Sequence, residues 1–101
     1  MDRRIEKNYL YKILRSSLMR IDDFLSTVGV IKRRTIAKEL GQNGLLVVNG
    51  NKVKPAYQIS IDDIVQIKGT NPQTIQIIEI PFTSVPKDKR ERYVKFMHEF
   101  S

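Results

Sequence analysis

A chain of 101 residues with 18 Lys and Arg against 11 Asp and Glu, a formal net charge of +7, reads as one small basic domain. It has no cysteine, which excludes a disulfide framework and thiolate chemistry. A chain this short has little room for both a core and a deep active-site cleft, and no apolar run in it is long enough to span a bilayer.

The first stretch, "MDRRIEKNYLYKILRSSL", opens with charge and lacks an apolar h-region and a small-residue cleavage site, so a signal peptide is not expected. Within it Ile5, Tyr9 and Ile13 recur at helical spacing beside Leu10 and Leu14. In "MRIDDFLSTVG", Ile21, Leu25 and Val28 form a stripe with Phe24 adjacent. A short amphipathic helix is expected, with Asp22 as its N-cap and Gly29 as its end. A second helix is expected over about Arg34 to Gln42, with Ile36, Ala37 and Leu40 facing inward and a left-handed C-cap at Asn43 and Gly44.

The period changes after Gly44. "LLVVNGNKVKP" predicts a strand, a tight turn at Asn49-Gly50-Asn51 and a short strand stopped by Pro55. "DIVQIKG" and "TIQIIEI" predict two more strands, joined by the turn-forming "GTNPQ". In "KDKRERYVKFMHEF", Tyr93, Phe96, Met97 and Phe100 recur at helical spacing and predict a C-terminal amphipathic helix whose aromatic stripe packs on the sheet. The fold class is α+β: two short helices on a small, mostly antiparallel sheet, plus a C-terminal helix.

The second helix poses a local conflict. "IKRRTIAKEL" places Lys32, Arg33 and Arg34 at its start, where the helix dipole favours acids by about 0.3–1 kcal/mol each. The conflict resolves if an anion docks there on free backbone N–H groups, with the cations extending the site. A basic balance points the same way, toward a polyanion, most often nucleic acid.

From Met19 onward the ordered set "MRIDDFL", "IKRRTIAKEL", "NGLLVVNGNKVKP" and "ISIDDIVQIKG" resembles the S4 RNA-binding domain. A second domain is not expected, and the chain is most similar to stand-alone S4 proteins of the heat-shock protein 15 and RqcP type. The resemblance divides it into an extension over 1–18, an S4 domain over 19–80, and a linker with the terminal helix over 81–101. It implies a non-enzymatic, cytoplasmic factor that binds large-subunit rRNA and peptidyl-tRNA on split, stalled ribosomes. Tailing of the nascent chain for degradation is then supported through a tailing factor. The implied factor is monomeric, has no membrane association and needs no cofactor. The alternatives are a general S4 protein of rRNA assembly or regulation and, less compatible with the strands after Gly44, a DNA-binding helix-turn-helix protein.

The sequence departs from the S4 pattern at three points. Arg33 stands where many S4 domains place a capping Ser, Asp62-Asp63 replaces the usual Gly-Asp turn, and Asp23 stands where relatives often carry a cation. Because the resemblance begins at Met19-Arg20, Met19 is the expected natural start. Arg15-Ser16 can be encoded with AGGAG, a ribosome-binding sequence, at a workable distance upstream. A genuine N-terminal helix is the opposing reading.

The candidate RNA-binding residues are Arg20, Lys32, Arg33, Arg34, Lys38, Asn49, Lys52 and Lys54. Arg34 is the strongest, because a guanidinium bonds two phosphate oxygens, or a phosphate and a base edge, in fork geometry. Lys38 lies one turn further on the same helix face. Lys52 and Lys54 alternate with Val53 and so share one face of the sheet. Any one of these taken alone is as well read as a solvated surface cation. No catalytic or metal site is expected. His98 is the only histidine, and the adjacent acids Asp22-Asp23 and Asp62-Asp63 read as a cap and a turn.

Overall fold

The computed structural model describes residues 19–81 and 85–97. Expectations for residues 1–18, His98 and Phe100 fall outside these. The elements in order are α1 (Ile21–Thr27), α2 (Arg34–Gln42), β1 (Leu46–Val48), β2 (Asn51–Lys52), β3 (Ile64–Ile67), β4 (Gln73–Ile77), a 3-10 turn (Lys87–Arg92) and β5 (Val94–Met97). The strands form one antiparallel sheet in the order β2-β1-β3-β4-β5.

Local chemistry sets the turns. Asn49 (φ 51°) and Gly50 (φ 87°) are both left-handed, as a two-residue hairpin turn between β1 and β2 requires, so Asn51 already belongs to β2. Asp62 adopts φ 75° before β3, the left-handed position expected of the Asp-Asp turn. Gly29 and Gly44 follow the two helices at φ 78° and 72°, while Asn43 keeps a negative φ of −92°.

The core lies between the helices and one face of the sheet. Ile21, Phe24, Leu25 and Val28 of α1 and its C-cap meet Leu46, Val48, Val65, Ile67, Ile75 and Ile77 from the strands, with Ile59, Ile80 and Val94 closing the layer. Full burial of each of these large apolar side chains is worth about 1.5–3 kcal/mol. α2 buries only small residues fully, Ala37 and Gly41, with Leu40 partly buried against the core. That narrow inner face brings the helix close and leaves Ile36 on its flank, 44% exposed, against the expectation that it faces inward.

The expected C-terminal helix is not formed among the described residues. Val94–Met97 is an edge strand in register with β4, pairing Ile77 with Val94 and Ile75 with Phe96. Tyr93 and Phe96 do pack on the core, but from the end of the 3-10 turn and from the strand, and Met97 is exposed. The same spacing of apolar residues serves both elements over four residues, and the open edge of β4 offers backbone hydrogen bonds that a free-standing helix forgoes. The preceding 3-10 turn is tied down by Arg90, whose Nη1 donates to the Gly29 carbonyl at 2.9 Å, and by an Arg92–Glu79 ion pair at 3.2 Å.

Candidate nucleic-acid interface

The start of α1 is built against the loop that follows β2. The Ile21 N–H donates to the Tyr57 carbonyl at 2.8 Å and the Asp22 N–H to the Pro55 carbonyl at 3.3 Å. Gly41 of α2 lies against the same proline: a Cβ there would sit 2.8 Å from Pro55 Cγ. Three segments distant in sequence therefore meet, and each brings a cation. Arg20, Lys38 and Lys54 line one shallow depression together with Gly41, Gln42, Pro55 and Ala56.

Asp22 does not cap α1. The N-cap is Arg20, without a side-chain cap bond, and Asp22 is fully buried. Its carboxylate accepts two hydrogen bonds from Arg20, at 3.1 Å from Nε and 2.9 Å from Nη2, and one from the Asp23 N–H at 2.8 Å. Arg34 Nε approaches the same carboxylate at 3.8 Å and Asp23 Oδ1 at 3.3 Å. Both arginines remain substantially exposed, at 40% and 51% of their side-chain surface. Arg20 and Arg34, on two different helices, thus face the same pair of acids, Arg20 bonded to Asp22 and Arg34 nearer to Asp23.

The N-terminus of α2 matches the expected conflict. Its N-cap is Arg33, with no side-chain cap bond and no acid in the first turn. Lys32, Arg33 and Lys38 are exposed and make no ion pair among the described residues. Lys32 faces a second groove, shared with Lys68 and with the flank of Ile31, Ile36 and Leu40.

The remaining candidates are placed differently. β2 ends at Lys52, so strand alternation does not carry through to Lys54. The Lys52 stem passes over Gly44, whereas Lys54 joins Arg20 and Lys38. Asn49 is engaged inward: its Nδ2 donates to Asp63 Oδ1 at 3.0 Å and its Oδ1 accepts from the Ile64 N–H at 2.9 Å. Asp63, largely buried, also accepts from the Ser60 N–H at 2.8 Å. The Tyr57 hydroxyl is pushed above its ordinary pKa of 10.0 by burial, by the charge of Asp63 and by its hydrogen bond to that carboxylate. These groups brace the hairpin and the loop that carry Lys54. The sequence reading missed Asp22 as the joint and Lys68 as a companion of Lys32. Arg20 lies only two residues before Asp22, but the approach of Arg34 to Asp22 and of Lys68 to Lys32 joins separate segments and has no local signal.

The S4 domain family model matches residues 19–65, the span that contains all eight candidate residues. The RQC P-site tRNA stabilizing factor of Bacillus subtilis (strain 168) is 32% identical over 82 residues, which cover 80% of this chain and 95% of that protein. This chain belongs to the RQC P-site tRNA stabilizing factor family. The factor of that name from Halalkalibacterium halodurans is 38% identical over 81 residues, 80% of this chain and 88% of its own. Among solved structures, the trimeric heat shock protein 15 of Vibrio cholerae has the same fold, with a TM-score of 0.71 at 21% identity over 78% of this chain and 81% of that one. As a member of the RQC P-site tRNA stabilizing factor family, the chain is an S4 RNA-binding factor and not an enzyme. Among the described residues no helix is long and apolar enough to cross a membrane.

Proposed function

We propose that this protein grips large-subunit rRNA and peptidyl-tRNA on split, stalled ribosomes and so serves ribosome-associated quality control. The observation that carries the reading is the convergence of Arg20, Lys38 and Lys54 on one depression, with Arg34 at the start of the uncapped α2 drawn toward Asp22 and Asp23. A shallow, basic, braced surface suits the phosphate ridges of a folded RNA, which are recognised by shape. Kinship with the B. subtilis RQC P-site tRNA stabilizing factor over nearly its whole length supports P-site tRNA as one of the ligands.

In this reading Arg20 and Arg34 make forked phosphate contacts, and Lys32, Arg33, Lys38 and Lys54 act as point charges. Lys52 lies at the margin, and Asn49 contributes by holding the hairpin. The protein works in the cytoplasm as a monomer, alongside a factor that tails the nascent chain.

Sedimentation tests the proposal. The protein is expected to travel with large subunits that carry peptidyl-tRNA and to be scarce on empty ones. Equal occupancy of both would favour a general rRNA-binding role and overturn the quality-control reading. Light scattering of the free protein checks the monomer.

A further inference from the structure

Asp22 has no accessible surface, yet two candidate RNA-binding cations, Arg20 and Arg34, approach its carboxylate. We infer that Asp22 is a positioning residue for RNA binding: it holds Arg20 by its inner edge through two hydrogen bonds, draws Arg34 in electrostatically alongside Asp23, and leaves the outer N–H groups of both arginines as one ordered anion grip. This rests on the RNA-binding reading above.

The donor count supports the division of edges. A guanidinium has five N–H groups. Arg20 spends one from Nε and one from Nη2 on the two oxygens of Asp22. Three remain, enough for a second fork on the opposite edge. Arg34 directs Nε toward Asp22 and Asp23, which leaves the four N–H groups of its terminal nitrogens. The acid itself cannot swing away. Its backbone is pinned to Pro55, and Oδ1 also accepts from the Asp23 N–H. Ordering a long arginine side chain at an interface costs free energy on binding, and a pair held in place beforehand avoids much of that cost.

Charge counting makes the opposite statement. Arg20 and Arg34 against Asp22 and Asp23 sum to zero formal charge, so removing the Asp22 charge should strengthen the hold on a polyanion. The two accounts therefore differ in sign for one isosteric substitution, Asp22→Asn. Positioning requires weaker binding from a protein that has become more positive.

The probe is purified large ribosomal subunits loaded with peptidyl-tRNA, titrated with the full chain, and folding of each variant is checked by circular dichroism. Asp22→Asn is expected to bind on the order of tenfold more weakly, within the range of coupling between residues in one ion-pair network. In an Arg20→Ala/Arg34→Ala background the same substitution is expected to change affinity less than about twofold, because the groups it positions are gone. Arg20→Lys keeps the charge but loses the fork, and is expected to bind several-fold more weakly. It is a substitution at a half-exposed side chain, and it decides the matter if Asp22→Asn does not fold. Unchanged or tighter binding by Asp22→Asn would overturn the inference, as would a loss of equal size in the arginine-free background. If Arg20→Ala/Arg34→Ala itself binds like the parent protein, the RNA-binding surface is wrong and the inference falls with it. Loss in that double variant, with full affinity retained by both Asp22→Asn and Arg20→Lys, overturns positioning alone.

Discussion

Replacing Gly41 by Ala tests whether the close approach of α2 to Pro55 is built in or incidental. In isolation the change should help: alanine in a helix is favoured over glycine by about 1 kcal/mol. The added methyl, however, would lie 2.8 Å from Pro55 Cγ, 2.9 Å from Cδ and 3.0 Å from the proline nitrogen. Carbon atoms pack best at about 3.5–4.0 Å, so the helix or the ring must retreat by roughly 0.5–1 Å. The obstacle is a rigid ring and a backbone atom, so no rotamer change relieves it. Retreat of Pro55 would also stretch the bond its carbonyl accepts from the Asp22 N–H, already 3.3 Å long. Overpacking of this kind costs about 1–3 kcal/mol, and with a strained second contact the upper half of that range applies. After the propensity gain, a net loss of about 1–2 kcal/mol remains. For a domain of this size each kcal/mol lowers the melting temperature by about 4–8 °C. Thermal unfolding followed by circular dichroism should therefore show Gly41→Ala melting several degrees below the parent, with Gln42→Ala, exposed on the same turn, close to it. A melting temperature equal to or above the parent's would refute the reasoning, since it would mean that the helix and the proline adjust without cost.

Arg34→Ala is expected to leave stability nearly unchanged, because a half-exposed ion pair worth about 0.2–1 kcal/mol is exchanged for relief at the positive end of the helix dipole. The same variant should lose about 1.5–3 kcal/mol of binding to large subunits, the worth of a charge-assisted hydrogen-bonded contact; undiminished affinity, or an unfolded variant, counts against the assignment. With about four or five phosphates contacted, log affinity against log salt should slope near −3 to −4.5, and a flat response in the titration would remove the basic face as the binding surface. Tyr57 predicts alkaline behaviour. Its hydroxyl has a raised pKa in the folded state, so its contribution to stability is intact below the unfolded value of 10.0 and is lost as pH rises through the folded one. Denaturation at pH 8 and above 10 should show that loss in the parent and less of it in Tyr57→Phe, and an identical decline in both would exclude Tyr57 as its source.

The elements that were readable in the sequence are those set by neighbours in the chain. The Asn49-Gly50 turn is one: two successive left-handed residues between apolar strands are specified by residue type alone. The span of α2 is another, opened by a break in pattern and closed by Gly44. Val94–Met97 shows where this ends. Four residues with Val94 buried, Lys95 exposed and Phe96 half-buried satisfy a helix face or an edge strand equally well, and the choice belongs to the unpaired backbone of β4, which no local pattern of residues 94–97 contains. Ile36 fails for a related reason. The helical stripe located an inner face, but Ala37 and Gly41 define it more narrowly than hydrophobicity does, because the close packing of the helix depends on what is missing from their side chains.

The site divides along the same line. The excess of cations at the start of α2 was visible as a conflict with the helix dipole, and the conflict persists in the fold: Arg33 caps nothing and the first turn holds no acid. What the sequence could not assign was which cations are held and which are free. Arg34 is met by Asp22 and Asp23, twelve and eleven residues earlier on another helix, and Arg20 is locked on Asp22. Lys32, Arg33 and Lys38 have no such partner among the described residues. The two kinds of cation do different work on a polyanion. Exposed lysines raise the local potential and need no fixed geometry, so they steer and strengthen association in a salt-dependent way. Forked arginines held from behind distinguish one arrangement of phosphates from another, because their donors are oriented before the ligand arrives. A domain too small for a cleft can obtain orientation in this way, by burying a single acid beneath its surface. In the proposed reading the acid lowers the net charge that attracts RNA and sets the directions in which the arginines can bind it.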